Sequence, residues 1–473
     1  VQPFSERAGE PSARNSGLDR IATVPPSDLA SATTLPASEP RPDLVDWLLR
    51  AAILAGLVGL TWYTFAADVF KPILEAAEAN DWARLVRRPS VIWASMGVLL
   101  LAVRTLLWLR YRPAAPATMD EAPRLTVVIP AYNEGAMVGK SIDSVAAARY
   151  PREKLEIFAV DDGSRDDTWR HIQRAAARHP ELVVARRLPR NMGKRHALAE
   201  GIRRASGDVI VTIDSDSVIE PDALLSLAGP FRRARVGAVA GKVAVVNRDQ
   251  GIIPRMLAVR FILSFDLLRA AQSTYGTVYC CPGALTAYRA SALRALLDGW
   301  LHQTFLGAPC TFGEDRGMTN LLLAAGFDTV YQRTAVVRTI VPWTYAKLCK
   351  MYLRWNRSYV REEIRFARIV WRRPWRALLM SLLDTTITNL RYPVSYAVLG
   401  FLVVLVPSHP LVLVRLLFVM GLVSLFNMLY YLRSERSMDF LYGVLYAYFS
   451  FFALFWIFPY AVLTVRARGW LTR

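Results

Sequence analysis

Apolar residues fall into two kinds of run along this chain. Residues 51–67, 91–103, 392–414, 416–432 and 440–465 are long apolar stretches almost without charge. Most approach or exceed the roughly 20 residues that cross a bilayer. Between residues 110 and 345 the runs become short and β-branched, and alternate with helical periodicity. Residues 125–130, 155–160, 182–188 and 208–213 read as strands, and 136–149, 166–178 and 193–205 as helices. Strand–helix–strand units of this length predict an α/β, Rossmann-like, mostly parallel sheet covered on both faces. The pattern therefore divides the chain into five parts. They are a disordered tail over 1–43, two transmembrane helices within 44–112, an α/β domain over 124–345, amphipathic interfacial helices over 346–376, and transmembrane helices over 377–473. Residues 377–390 could add a broken crossing to the three apolar segments that follow.

Composition agrees with a membrane protein: 53% of the 473 residues are hydrophobic. The net charge of +19 comes without any zinc-finger, helix-turn-helix or RNA-binding signature, so no nucleic-acid partner is expected. The basic residues instead suit anionic lipid or an anionic substrate. Arg104, Arg110 and Arg112 argue that the polar insert is cytoplasmic, although Arg84, Arg87 and Arg88 at the other end of the same segment mix the signal. Three of the four cysteines lie in the insert and Cys349 just after it, without metal-ligand spacing, which fits a reducing compartment. From Arg354 through Arg357, Arg361, Arg365 and Arg368 to Arg372, arginines recur at three- or four-residue spacing. On a helix they make one basic face, suited to headgroups along most of its length and to a substrate phosphate at its start.

Chemistry is concentrated after the strands. Tyr132-Asn133-Glu134, Asp161-Asp162-Gly163-Ser164 and Asp214-Ser215-Asp216 each follow a predicted strand. That places them on one edge of one sheet, where α/β proteins bind ligands. Asp214-Ser215-Asp216 alone would suit a surface turn as well as a divalent-cation site. Its repetition beside two other acidic edges favours the site.

Six segments in order resemble the family 2 glycosyltransferases, inverting nucleotide-sugar enzymes with a GT-A fold. They are Val127–Glu134, Asp161–Ser164, Asn191-Met192-Gly193-Lys194, Asp214–Asp216, Gly313-Glu314-Asp315-Arg316 and Arg354-Trp355. Arg269–Ser273, Cys280-Cys281-Pro282-Gly283, Phe305-Leu306-Gly307, Arg354–Ser358 and Trp470-Leu471-Thr472-Arg473 are similar to segments of hyaluronan synthases and nodulation-type chitin-oligosaccharide synthases.

The resemblance implies roles. Asp315 would be the catalytic base, and Asp216, helped by Asp214, would hold Mg2+ or Mn2+. Ala131, Tyr132, Glu134, Asp161, Lys194, Asp214 and Arg354 would bind the nucleotide sugar, while Trp355 and Glu314 would meet the acceptor. The partners implied are UDP-GlcNAc, joined by UDP-glucuronic acid if the product is hyaluronan, a growing polysaccharide, and the lipids of the plasma membrane. Met351 stands where processive members carry Gln, so a hydrogen-bonding group is lost there. The Arg357 face is the expected substitute, and on that reading Arg357→Ala raises the donor KM. A UDP-glucose-dependent β-glucan synthase and a non-processive transferase to a polyprenyl phosphate are the competing enzyme readings. A channel or scaffold with an inactive transferase domain is the non-enzymatic one.

Overall fold

The computed structural model describes residues 42–66 and 83–467. The tail to residue 41, the 67–82 connection, the side chains of Arg84, Arg87 and Arg88, and the 470–473 motif lie outside the described residues.

Two apolar helices come first, α1 (Leu44–Ala66) and α2 (Ala83–Arg110). The α/β domain then alternates β1 (Leu125–Ala131), α3 (Met137–Ala146), β2 (Leu155–Asp161), α4 (Thr168–Arg178), β3 (Val183–Arg187), α5 (Lys194–Arg204) and β4 (Val209–Thr212). It continues with β5 (Ser217–Ile219), α6 (Ala223–Ala228), β6 (Val236–Val245) and α7 (Ile252–Ile262), which runs through a π-helical stretch, Leu263–Arg269, into α8 (Ala270–Ser273). After these come β7 (Thr286–Arg289), α9 (Ala290–Leu301), the hairpin β8 (Thr304–Phe305) and β9 (Ala308–Pro309), α10 (Glu314–Ala324) and β10 (Asp328–Thr339). The chain closes with α11 (Tyr345–Ile369), α12 (Trp375–Leu405), α13 (Leu411–Glu435), α14 (Phe440–Ala453) and α15 (Ile457–Leu463).

The eight-stranded sheet has the order β3-β2-β1-β4-β7-β6-β10-β5. β1 pairs in parallel with β2 and β4, and β2 with β3. β7 lies antiparallel to both β4 and β6, and β5 antiparallel to β10. The sheet is thus mixed but parallel-dominant. All seven residues of β1 are buried, as expected of a central strand with helices on both faces. The parallel half carries the ends of β1, β2 and β4 to one edge, as the alternation predicts.

The four helical segments Leu44–Thr64, Ile92–Arg110, Trp375–Val404 and Leu411–Glu435 are long and apolar enough to span a membrane. The expected 392–414 segment is divided differently. α12 runs from Trp375 through Pro393 to Leu405, so residues 377–390 belong to the same helix and add no crossing of their own. It accommodates Pro393 but stops short of Pro407 and Pro410, two prolines in four residues that each remove a backbone donor and disfavour the helical conformation just before them. The expected 440–465 segment is two helices, α14 and α15, bent by 50°. The break is tied to α11: Tyr345 Oη donates to the Ala453 carbonyl (2.6 Å), and Trp456 Nε1 donates to Tyr345 Oη (3.2 Å).

Candidate active site

The loops after β1, β2 and β4 are sewn together by short polar contacts. Asn133 sits at φ 53°, a left-handed conformation that asparagine tolerates better than most residues. Its amide donates to Ser164 Oγ (3.0 Å), and its Oδ1 accepts from the Arg165 amide (2.9 Å). Glu134 Oε1 accepts from Ser215 Oγ (3.1 Å), which ties the β1 loop to the Asp214–Asp216 turn. Ala131 is buried, and its carbonyl accepts from the Asp162 amide (2.8 Å). Tyr132 is half-buried at the same edge. Asp161 is fully buried between the Ser164 amide (3.1 Å) and Arg187 Nε (3.0 Å). It braces this corner from inside the protein.

Asp162 has a role that the motif alone did not reveal. Its two carboxylate oxygens accept from the Met192 and Gly193 amides, each at 2.8 Å. This shapes the turn that delivers Lys194 to the start of α5. Burial pushes the Asp162 carboxyl up, against the pull of those two N–H groups.

Lys194 is the centre of the site. Its Nζ lies 2.6 Å from Asp214 Oδ1 and 2.7 Å from Glu314 Oε1. Burial works against the ammonium, but the two carboxylates more than offset it and hold the proton firmly. Glu314 would be raised by burial, yet the Lys194 charge and hydrogen bond, with Arg354 adding to the field, hold it at about 2. Glu314, expected to meet the acceptor, is paired here with Lys194. It is a buried counterion, because a nearly buried ammonium needs more than one anion. Its backbone carbonyl also accepts from Trp300 Nε1 (2.8 Å).

Asp315 follows in the first turn of α10 and lines the same cleft as Lys194, Asp214, Gly283 and Glu314. Its carboxyl is pushed up by burial and then by the neighbouring Glu314 charge. Oδ1 accepts from the Arg316 amide (2.7 Å), and Cys280 Sγ lies 3.6 Å from Oδ2. Two glycines make this packing possible. A Cβ on Gly283 would lie 2.9 Å from Lys194 Nζ. Gly313, at φ 72°, starts α10 where any side chain would collide with Ser358 Oγ. The Pro282-Gly283 and Gly313-Glu314 pairs were the available signals for both.

Asp216 lies at the other end of the acidic turn, and burial together with Asp214 pushes its carboxyl up to about 6. Among the described residues, no three His, Cys, Asp or Glu side chains gather into a metal cage. Two carboxylates suffice for Mg2+ or Mn2+ when substrate phosphates and water complete the shell. Asp214 and Asp216 offer the hard carboxylate oxygens that such an ion takes, so the donor set fits it.

The helix α11 departs most from expectation. Arg357 is buried, and its Nε and Nη2 donate to Thr464 Oγ1 (3.0 and 2.9 Å). Arg361 is also buried, bonded to the Phe312 carbonyl and to Glu362. Arg365 donates to Glu362 and to the Thr304 carbonyl (2.7 Å). This part of the arginine stripe faces protein, not headgroups or a donor. Met351 is buried in an apolar cluster with Val245, Leu257, Val341 and Leu348, so it fills core at that position. Trp355 is exposed, with its ring edge-on to Tyr352 (5.6 Å) and near Phe261 (6.3 Å).

Residues 126–297 match the profile described as glycosyl transferase family 2, and the chain carries a domain of that family. An N-acetylglucosaminyltransferase of Azorhizobium caulinodans is 40% identical over 248 residues, covering 52% of this chain and 62% of that protein. An N-acetylglucosaminyltransferase of Rhizobium meliloti is 37% identical over 274 residues, covering 56% and 64%. The chain thus spans about three fifths of the length of the curated relatives it matches. A mannosyltransferase from Pyrobaculum calidifontis, solved in complex with GDP-Man and Mn2+, aligns over 76% of this chain and 98% of that one at 20% identity and a TM-score of 0.46.

Proposed function

We propose that the chain is a membrane-embedded, inverting, processive glycosyltransferase. It takes GlcNAc from UDP-GlcNAc and builds a β-linked, GlcNAc-containing oligomer or polymer of chitin or hyaluronan type, which it exports through its own helices. The domain faces the cytoplasm from the plasma membrane. The observation that carries the reading is the single cleft that brings Asp315 beside the Lys194–Asp214 pair. The names of the relatives support GlcNAc as the transferred sugar.

Displacement at an anomeric carbon requires a base for the acceptor hydroxyl and relief of charge on the departing diphosphate. Asp315, with its raised carboxyl, accepts the hydroxyl proton as the new carbon–oxygen bond forms. The bond to the diphosphate breaks on the opposite face, and UDP leaves with the electron pair. Asp216 and Asp214 hold Mg2+ or Mn2+, which when bound neutralises diphosphate charge. Lys194 and Arg354 add fixed positive charge there, and Glu314 keeps Lys194 in place. The edge formed by Tyr132 and Glu134, braced from inside by Ala131 and Asp161, receives the nucleotide, and the exposed face of Trp355 stacks on the acceptor sugar.

The test is UDP release by detergent-solubilised protein given UDP-GlcNAc, UDP-glucuronic acid and UDP-glucose, singly and in pairs. Turnover with UDP-GlcNAc alone supports a chitin-type product, and strong synergy with UDP-glucuronic acid supports hyaluronan. Turnover with UDP-glucose only contradicts GlcNAc transfer.

A further inference from the structure

The residue after Asp315 leads into the membrane region. Arg316 does not pair with Asp315; its guanidinium forms an ion pair with Glu363 on α11 and lies over the Tyr359 ring, 4.6 Å from the centroid. Both partners then converge on one residue of α12. Asn389 Nδ2 donates to Glu363 Oε2 (2.9 Å), and Tyr359 Oη donates to Asn389 Oδ1 (2.7 Å). Arg316, Glu363, Asn389 and Tyr359 thus form a closed polar ring. One side of the ring is an apolar span, Trp375–Val404, and Asn389 stands halfway along it. A polar side chain within such an apolar span is costly unless it has polar partners. A primary amide can donate to a carboxylate through its nitrogen and accept from a phenol through its oxygen, so Asn389 suits its place chemically.

We propose that this ring is a positioning device that holds Asp315 in register with helix α12, so that movement of α12 alters the transfer step. Arg316, Tyr359, Glu363 and Asn389 are positioning residues on this account. The inference rests on the proposed role of Asp315 as base. Its physical route is short. The Arg316 amide holds Asp315 Oδ1 at 2.7 Å, and the Arg316 side chain is held by Glu363 and Tyr359 of α11, which Asn389 of α12 holds in turn. Freeing that side chain loosens the first turn of α10, where the base sits. Lys194 and Asp214 stand on other elements, α5 and the end of β4, and meet this turn only through Glu314, so donor binding should suffer less than transfer.

The experiment measures kcat and the donor KM with UDP-GlcNAc for solubilised wild type, Asn389→Leu, Asn389→Gln and Tyr359→Phe, together with each thermal midpoint. A misplacement remote from the chemistry can cost one to two orders of magnitude in rate. Asn389→Leu is expected to lower kcat about 10-fold while the donor KM moves much less, with most of the rate returning in Asn389→Gln. Tyr359→Phe keeps the ring under Arg316 and loses one bond, so a fall of about 3-fold is expected. It carries the test alone if Asn389→Leu does not fold. Wild-type kcat in the folded variants overturns the proposal. So does a rate loss that tracks the thermal midpoint and raises the donor KM equally, which a purely structural bond would produce. Failure of the function itself looks different: wild type then releases no UDP, or Asp315→Asn retains full transfer.

Discussion

Replacing Lys194 with Gln removes the cation shared by Asp214 and Glu314 and leaves two carboxylates facing each other. The magnitude follows from Glu314. Its carboxyl stands at about 2 against an ordinary 4.5, and each pKa unit is worth about 1.4 kcal/mol. The net stabilisation of the buried carboxylate, led by Lys194 and left after the cost of burial, is therefore on the order of 3 kcal/mol, counted once although both partners register it. Because the folded-state pKa is lowered, this stability is fully present above about pH 4.5 and is lost as pH falls through about 2. In Lys194→Gln, burial is left to dominate Glu314, so its carboxyl rises and the acid-sensitive window moves up. For a domain of about 220 residues, 3 kcal/mol lowers the thermal midpoint by roughly 6–12 °C. The assay is thermal unfolding of detergent-solubilised protein by tryptophan fluorescence between pH 4 and 8, with Lys194→Arg as the charge-preserving control. A wild-type midpoint for Lys194→Gln across that range would refute the triad as a source of stability.

Two further substitutions probe the packing around the triad. Gly283→Ala places a methyl 2.9 Å from Lys194 Nζ, and with that ammonium held by two carboxylates it has no easy retreat. A loss of donor affinity by about 10-fold is expected, read by titration of UDP-GlcNAc into purified protein. Arg357→Ala is expected to leave the donor KM unchanged, the reverse of what the arginine stripe suggested, because its guanidinium is bonded to Thr464. Its effect should appear in the thermal midpoint, and Thr464→Val should reproduce it.

The edge that holds the acidic turns was legible because parallel strands advertise themselves. β1, β2, β3 and β4 are short apolar runs whose ends carry their polar residues to one side. The second half of the sheet was harder to read. β7 runs antiparallel between β4 and β6, and no local periodicity states that pairing. The Lys194–Glu314 contact joins residues at the starts of two helices far apart in sequence, so no spacing rule reaches it. The arginine stripe of α11 misled for a related reason. Helical periodicity says which residues share a face, but not whether that face meets lipid, substrate or protein. Phe312, Thr304 and Thr464 supply protein partners for that face from three separate segments. Met351 looked like a lost hydrogen bond only until its apolar neighbours were in view.

The division of labour between the acidic turn and α10 is the central claim, and one pair of variants tests it most directly. Donor binding and UDP release are measured side by side for Asp216→Asn and Asp315→Asn, with UDP-GlcNAc and Mg2+ or Mn2+. Asp216→Asn is expected to lose metal-dependent donor binding, and Asp315→Asn to bind donor as wild type does and fail to transfer. Normal donor binding by both variants, or transfer by Asp315→Asn at the wild-type rate, would contradict the account.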